Sequence, residues 1–213
     1  MILDVKDVTK SFGKKLILKS VSMHIDEGKF VSVFGVSGSG KTTLSRIIIG
    51  LEKADSGYVD VEKAMIVFQQ PMLSLDPKQR IGEGLSELIR YHGFAEKNEM
   101  QNLILPLLEK VGLKKDILSH YPHQISGGEA ERICIARALL FNPKLLIMDE
   151  ATSMLDPDTA KEIIALVKEL IIKNDGSILF ISHDKDLVTK HSDRIYVLDS
   201  GNIHEFINKK GGE

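Results

Sequence analysis

The chain has 213 residues, 43% of them hydrophobic and 27% charged, with a formal net charge of −2. Those proportions fit one large folded domain, exclude a disordered chain, and give no general attraction to nucleic acid or anionic lipid. The single cysteine, Cys134, has no partner for an internal disulfide and fits a reducing compartment. Apolar runs such as Leu145–Met148 are far too short to span a bilayer, and Met1-Ile2-Leu3-Asp4 lacks the basic start and apolar stretch of a leader. A secreted, membrane-spanning or fibrous protein is therefore not expected.

In chain order, Ile2–Val5 and Val21–Ile25 alternate like half-buried strands, and Phe30–Phe34 is a β-rich run ahead of a glycine cluster. Leu44, Ile47 and Ile48 recur at helical spacing until Gly50. Tyr58–Val61 and Ala64–Phe68 are again strand-like. Between about 76 and 124 the period becomes helical, with Ile81, Leu85, Leu88 and Ile89 followed by Leu103, Leu107 and Leu108. A helix is predicted over Glu129–Phe141, a buried parallel strand at Leu145–Met148 and a helix over Asp158–Lys173. Strands at Ser177–Ile181 and Arg194–Leu198 flank a short helix near Lys185–His191. Strands alternating with helices predict an α/β core with parallel strands and a helical side lobe. The polar tail Asn208–Glu213 is expected to fray.

The sharpest motif is Gly35-Val36-Ser37-Gly38-Ser39-Gly40-Lys41-Thr42, a phosphate-loop pattern with a strand before it and a helix after it. Glycines let the backbone curl until successive N–H groups face a triphosphate, and the helix start adds its positive dipole end. Lys41 brings a mobile charge to the outer phosphates, and the Thr42 hydroxyl is a hard oxygen ligand for Mg²⁺. A second motif is the apolar run Leu145–Met148 ending in Asp149-Glu150. Ligands of open parallel sheets bind beyond the carboxyl ends of strands, which suits Asp149 to Mg²⁺ and Glu150 to the attacking water. The bland alternative for Asp149, an N-cap after a core strand, loses weight with a phosphate loop upstream.

Ile125-Ser126-Gly127-Gly128-Glu129 and the following Ala130–Leu139 resemble the signature motif of ABC ATPases. Gln69 is similar to that family's Q-loop glutamine, Ser153-Met154-Leu155-Asp156 to its D-loop, His183 to its switch histidine, and Phe12 to its adenine-stacking aromatic. The resemblance covers nearly the whole chain. It implies a single ABC cassette over 1–213: a mostly parallel core sheet, an N-terminal antiparallel β subdomain (together about 1–75 and 125–207) and a helical subdomain at about 76–124. It implies ATP and Mg²⁺ as cofactors, with Gly35, Ser37, Gly38, Ser39, Gly40, Lys41, Thr42 and Thr43 around the phosphates. Thr42, Gln69 and Asp149 are then metal ligands, and Glu150, His183 and Gln69 the catalytic set. Ser126, Gly127, Gly128 and Asp156 close over the nucleotide of a facing cassette, head to tail.

Ser126 and Glu129 also form a capping-box pattern, compatible with anion binding because both use the same backbone groups. Glutamate at 129 replaces the commoner glutamine and is expected to turn from phosphate toward Arg132. His120 and His123, without further ligands, make a poor metal site, and Cys134 reads as packing.

Gln69–Pro77 and Tyr121–Ser126 resemble the ATPase subunits of oligopeptide, dipeptide and nickel uptake systems. This implies a second ATPase subunit, identical or not, and separate membrane permease subunits docking near Pro71–Gly84. The resemblance implies a cytoplasmic protein peripheral to the inner face of the membrane, with no direct insertion and no nucleic-acid partner. The short Gly57–Gln69 connection and the end soon after Arg194–Glu205 depart from those relatives and weaken any choice of cargo. Alternatives are a soluble ABC ATPase, such as one of Fe–S assembly, or an exporter cassette. DNA-repair members carry a long coiled coil and translation-factor members two cassettes, neither of which appears here. A regulator without turnover is disfavoured by Asp149, Glu150 and His183.

Overall fold

The computed structural model describes residues 1–91 and 100–206; the expected fraying at 208–213 lies outside them. Two compact units emerge: Met1–Ile66 with Pro143–Glu150 and Lys168 onward, and Val67–Asn142 with Ala151–Val167.

The first unit holds two sheets. Strands β1 (Leu3–Phe12), β2 (Lys15–Ile25) and β4 (Ser56–Val61) form an antiparallel sheet in the order β2-β1-β4. The second sheet runs β5-β6-β7-β3-β8-β9, from β5 (Ala64–Val67) and β6 (Leu145–Asp149) through β7 (Ser177–Ser182), β3 (Phe30–Phe34) and β8 (Arg194–Asp199) to β9 (Asn202–Phe206). β6, β7, β3 and β8 are mutually parallel, and β9 returns antiparallel to β8. Every residue of β6 and β7 is buried, the signature of strands covered on both faces.

Leu3, Val5, Val21 and Ile25 from the antiparallel sheet meet Val31, Val33, Ile147 and Leu179 in one apolar cluster. Leu44, Ile47 and Ile48 of α1 (Lys41–Ile48) join it at helical spacing. Truncating Ile147 to alanine there would cost about 2–5 kcal/mol. On another part of the parallel sheet Phe30 and Phe180 pack with ring centroids 5.8 Å apart, and α6 (Lys185–His191) lies against β3 and β7.

The second unit is helical: α2 (Ile81–Tyr91), α3 (Met100–Lys110), α4 (Gly127–Leu139) and the first part of α5 (Pro157–Ile172), with 3₁₀ turns at Pro71–Ser74, Lys115–Ser119 and Pro122–Gln124. Ile81, Leu85 and Ile89 form the buried stripe of α2. In α3 the expectation for Leu103 fails: it is exposed, and Ile104 and Leu108 turn inward. Arg137 donates to the Ser74 carbonyl at 2.6 Å and ties α4 to the 71–74 turn. Among the described residues, no helix is long and apolar enough to cross a membrane.

Candidate phosphate-binding and hydrolysis site

In the first unit, β3 ends at Phe34, and Gly35–Gly40 curl before α1 begins at Lys41. Two glycines are required by geometry. A Cβ at Gly35 would lie 2.3 Å from the Leu198 carbonyl oxygen, and Gly40 has φ +109°, where side chains are strained. Gly40 offers no side-chain cap and the first turn of α1 has no acidic residue, so its N–H groups keep their positive potential for an anion. Ser37 and Gly38 are exposed at the rim, and Thr43 is half-buried in the first helical turn. Ser39 is buried, and its Oγ has no hydrogen-bond partner among the described residues.

Lys41 is buried, its Nζ donating to the carbonyls of Gly35 (2.8 Å) and Val36 (3.0 Å). The same Nζ lies 3.4 Å from Glu150 Oε1, and His183 Nδ1 lies 3.5 Å from Glu150 Oε2. Glu150 follows β6 with φ 52°, a left-handed conformation that costs a β-carbon residue about 1–2 kcal/mol. Its amide is fixed by the Ile181 carbonyl at 2.9 Å. Neighbouring parallel strands thus deliver Glu150 and His183 at their carboxyl ends.

Asp149 is 1% exposed. Its Oδ2 accepts from Ser45 Oγ at 2.7 Å and its Oδ1 from Thr42 Oγ1 at 3.5 Å. Burial pushes its carboxyl above the usual range, and the Ser45 and Thr42 hydroxyls pull it back. Ser45 is absent from the sequence-derived site; its signal was the i, i+3 spacing from Thr42, which puts both hydroxyls on one helix face. The hard oxygens of Thr42 and Asp149 suit Mg²⁺, and the glycine curl with the unpartnered Ser39 hydroxyl suits a polyphosphate.

Phe12 closes β1 with its ring half-exposed and Lys10 Nζ 5.0 Å from the centroid.

The remaining candidates belong to the second unit. Gln69 is exposed after β5. Ser126 caps α4, its Oγ accepting the Glu129 amide at 3.2 Å. Glu129 corrects the expectation of a turn toward Arg132: its Oε2 accepts from the Ser126 amide (2.8 Å) and hydroxyl (2.9 Å). A short capping ring outcompetes a longer, solvent-exposed ion pair, and these hydrogen bonds hold the carboxyl below its usual range. Arg132 instead reaches the Gly112 carbonyl at 3.4 Å. Asp156 accepts the Thr159 amide at 3.1 Å and caps the start of α5. Ser126, Gly127, Gly128, Met154 and Asp156 line a cavity of about 870 Å³ with Lys114 and Arg132 on its wall.

The family model described as "ABC transporter" matches residues 18–153. This chain belongs to the ABC transporter family. The ABC cassette is 38% identical to the methionine import ATP-binding protein of Brucella abortus over 96% of this chain and 59% of that protein. It is 36% identical to the metal-staphylopine import ATP-binding protein of Staphylococcus aureus over 97% of this chain and 91% of the relative. With the oligopeptide transport ATP-binding protein OppF of Escherichia coli it shares 37% identity over 87% of this chain and 61% of the relative. The cassette therefore spans about three-fifths of the length of the Brucella and E. coli relatives. Among solved structures it is similar to the dimeric ATP-binding cassette MJ0796 in a post-hydrolysis state bound to ADP and Pi. That similarity has a TM-score of 0.88 and 31% identity, covering 99% of this chain and all of the other.

Proposed function

We propose that this ABC cassette hydrolyses ATP at a head-to-tail interface with a second cassette and drives uptake of a small solute through separate membrane subunits. The observation that carries the reading is the Glu150 carboxylate held between Lys41 and His183, beside the buried Asp149. In this reading the loop amides and Lys41 neutralise the outer phosphates of ATP. Glu150 orients the attacking water and accepts its proton as the new P–O bond forms and the bond to ADP breaks. His183 supports Glu150 and the γ-phosphate, Gln69 touches the water or metal, and Phe12 stacks on adenine. Thr42, Asp149 and Gln69 would hold Mg²⁺, which when bound supplies charge neutralisation between the outer phosphates.

The partner's Ser126–Gly128 segment and Asp156 complete each pocket, so ATP joins two cassettes and hydrolysis weakens the pair. Support comes from the cavity that Ser126, Gly127, Gly128 and Asp156 line together and from the similarity to a dimeric cassette bound to ADP and Pi. Docking of membrane subunits on the 71–84 segment is supported by exposed Leu73 and Met72 beside a groove of about 330 Å³ lined by Ser74, Gln79, Arg80 and Leu88. The cassette would then sit on the cytoplasmic face of the membrane. Peptides, nickel or metal chelates remain the proposed cargo class, the relatives being named for methionine, oligopeptide and metal-staphylopine import.

Lys41→Ala should abolish ATP binding in calorimetry, and normal affinity would refute the phosphate-loop reading. Affinity purification from membranes should recover integral membrane subunits. Recovery of ribosomes, DNA or an Fe–S scaffold instead would overturn the transport role.

A further inference from the structure

We propose that Glu131 is a positioning residue that pins the segment carrying Asp156 to the helix whose first turn carries Ser126, Gly127 and Gly128. Glu131 lies in α4 and is 1% exposed. Its carboxyl accepts the backbone N–H of Met154, while Oε2 is buried with no hydrogen-bond partner among the described residues. The 151–156 segment rests directly on the helix start: a Cβ at Gly128 would lie 3.2 Å from Leu155 Cδ2, and one at Gly127 3.9 Å from Met154 Cβ. One side chain therefore joins two stretches to which the proposed function gives a shared task at the facing nucleotide. The inference rests on that reading for its effect on turnover, though not for the latch itself.

The chemistry of the latch follows from what surrounds it. A buried ionised carboxylate needs a cation, and among the described residues none forms an ion pair with it. Arg132, the next residue, reaches instead for the Gly112 carbonyl. Cys134 on the same helix is a buried thiol, raised by burial and by Glu131 itself. The packed 151–156 segment carries only Asp156, whose carboxylate is engaged at Thr159. The 71–74 turn has no ionisable side chain, and α3 brings only the exposed Glu109 and Lys110. Burial pushes the Glu131 carboxyl up to about 8, against the opposing pull of the Met154 N–H and of the neighbouring Arg132 charge. At neutral pH the acid is uncharged and the Met154 contact is retained. At alkaline pH an unpaired anion forms inside the unit and draws water in, freeing the segment.

The test compares Glu131→Gln, whose amide oxygen accepts the same N–H without a charge, with Glu131→Leu, which fills the space and cannot accept. At pH 7 the wild type and E131Q should hydrolyse ATP within about twofold of each other. E131L should lose about tenfold in kcat with ATP affinity unchanged. At pH 9 the wild type should fall about tenfold from its pH 7 rate, matching the neutral fraction of an acid titrating near 8, while E131Q holds its rate. An alkaline fall in E131Q equal to the wild type's, or full activity in E131L, would overturn the proposal.

Hydrogen exchange at the Met154 amide supplies a readout independent of turnover. Protection should persist in E131Q, vanish in E131L and weaken above pH 8 in the wild type. Unchanged protection in E131L would overturn the latch. If the ATPase reading itself were wrong, the wild type would be inactive at every pH while the exchange pattern stood.

Discussion

Ser45 Oγ lies 2.7 Å from Asp149 Oδ2, a fully buried hydrogen bond between the second turn of α1 and the last residue of β6. It orients a carboxylate that has almost no access to water, and it leaves Oδ1 to Thr42. The helix that follows the Gly35–Gly40 loop thus sets the acid through both hydroxyls.

Removing that hydroxyl should tell. Ser45→Ala leaves Asp149 Oδ2 buried without its donor, a loss of about 2 kcal/mol. The variant should melt lower in thermal denaturation and show a several-fold weaker Mg²⁺ dependence of ATPase activity, with Ser45→Thr restoring much of both. An unchanged melting curve would show that the contact carries no stability.

The capping ring at the start of α4 gives a separate expectation. Glu129→Ala frees the Ser126 amide and one acceptor of its hydroxyl, so stability should fall by about 1 kcal/mol. Glu129→Gln should keep most of it, because the amide oxygen can accept the same N–H. Chemical denaturation of the three proteins measures this directly.

How much of this was legible beforehand differs by level. The loop from Gly35 to Thr42 and the acidic end at Asp149-Glu150 announce themselves because their chemistry needs particular residue types at fixed spacing. The core strands at Leu145–Met148 and Ser177–Ile181 were readable because burial on both faces demands continuous apolar runs. The outer half of β1 and the start of β2 were not. Lys6–Phe12 and Lys15–Ser20 mix polar and apolar residues, with Val8, Lys10 and Leu18 buried among exposed neighbours, and register shifts along the β1–β2 pairing break the alternation on which a strand reading depends. Leu103 misled because helical period identifies a stripe but leaves its phase open by one residue. Glu131 was silent for a related reason. A glutamate in a helix is ordinarily solvated, and this one is buried only once the unit has packed around α4.

Linkage makes the same glutamate visible in stability. Its folded-state value of about 8 lies above the usual 4.5, so the unfolded chain gives up this proton first as pH rises. Its contribution should be neutral below pH 4.5, become progressively unfavourable from about pH 4.5 to 8, and level off above that. Glu131→Gln removes the effect, so the variant's advantage in melting temperature should grow across that window and then stay constant. A difference independent of pH would mean that the carboxyl ionises normally in the folded protein.

The most direct test of the account is the state of Glu150→Gln with MgATP. The substitution keeps the shape beside Lys41 and His183 while removing the proton acceptor. By light scattering the variant should pair into a stable dimer with MgATP, return to monomer without it, and release phosphate at least a hundredfold more slowly than the wild type. Wild-type turnover by this variant, or a monomer that hydrolyses ATP at a rate per molecule independent of its concentration, would contradict the account.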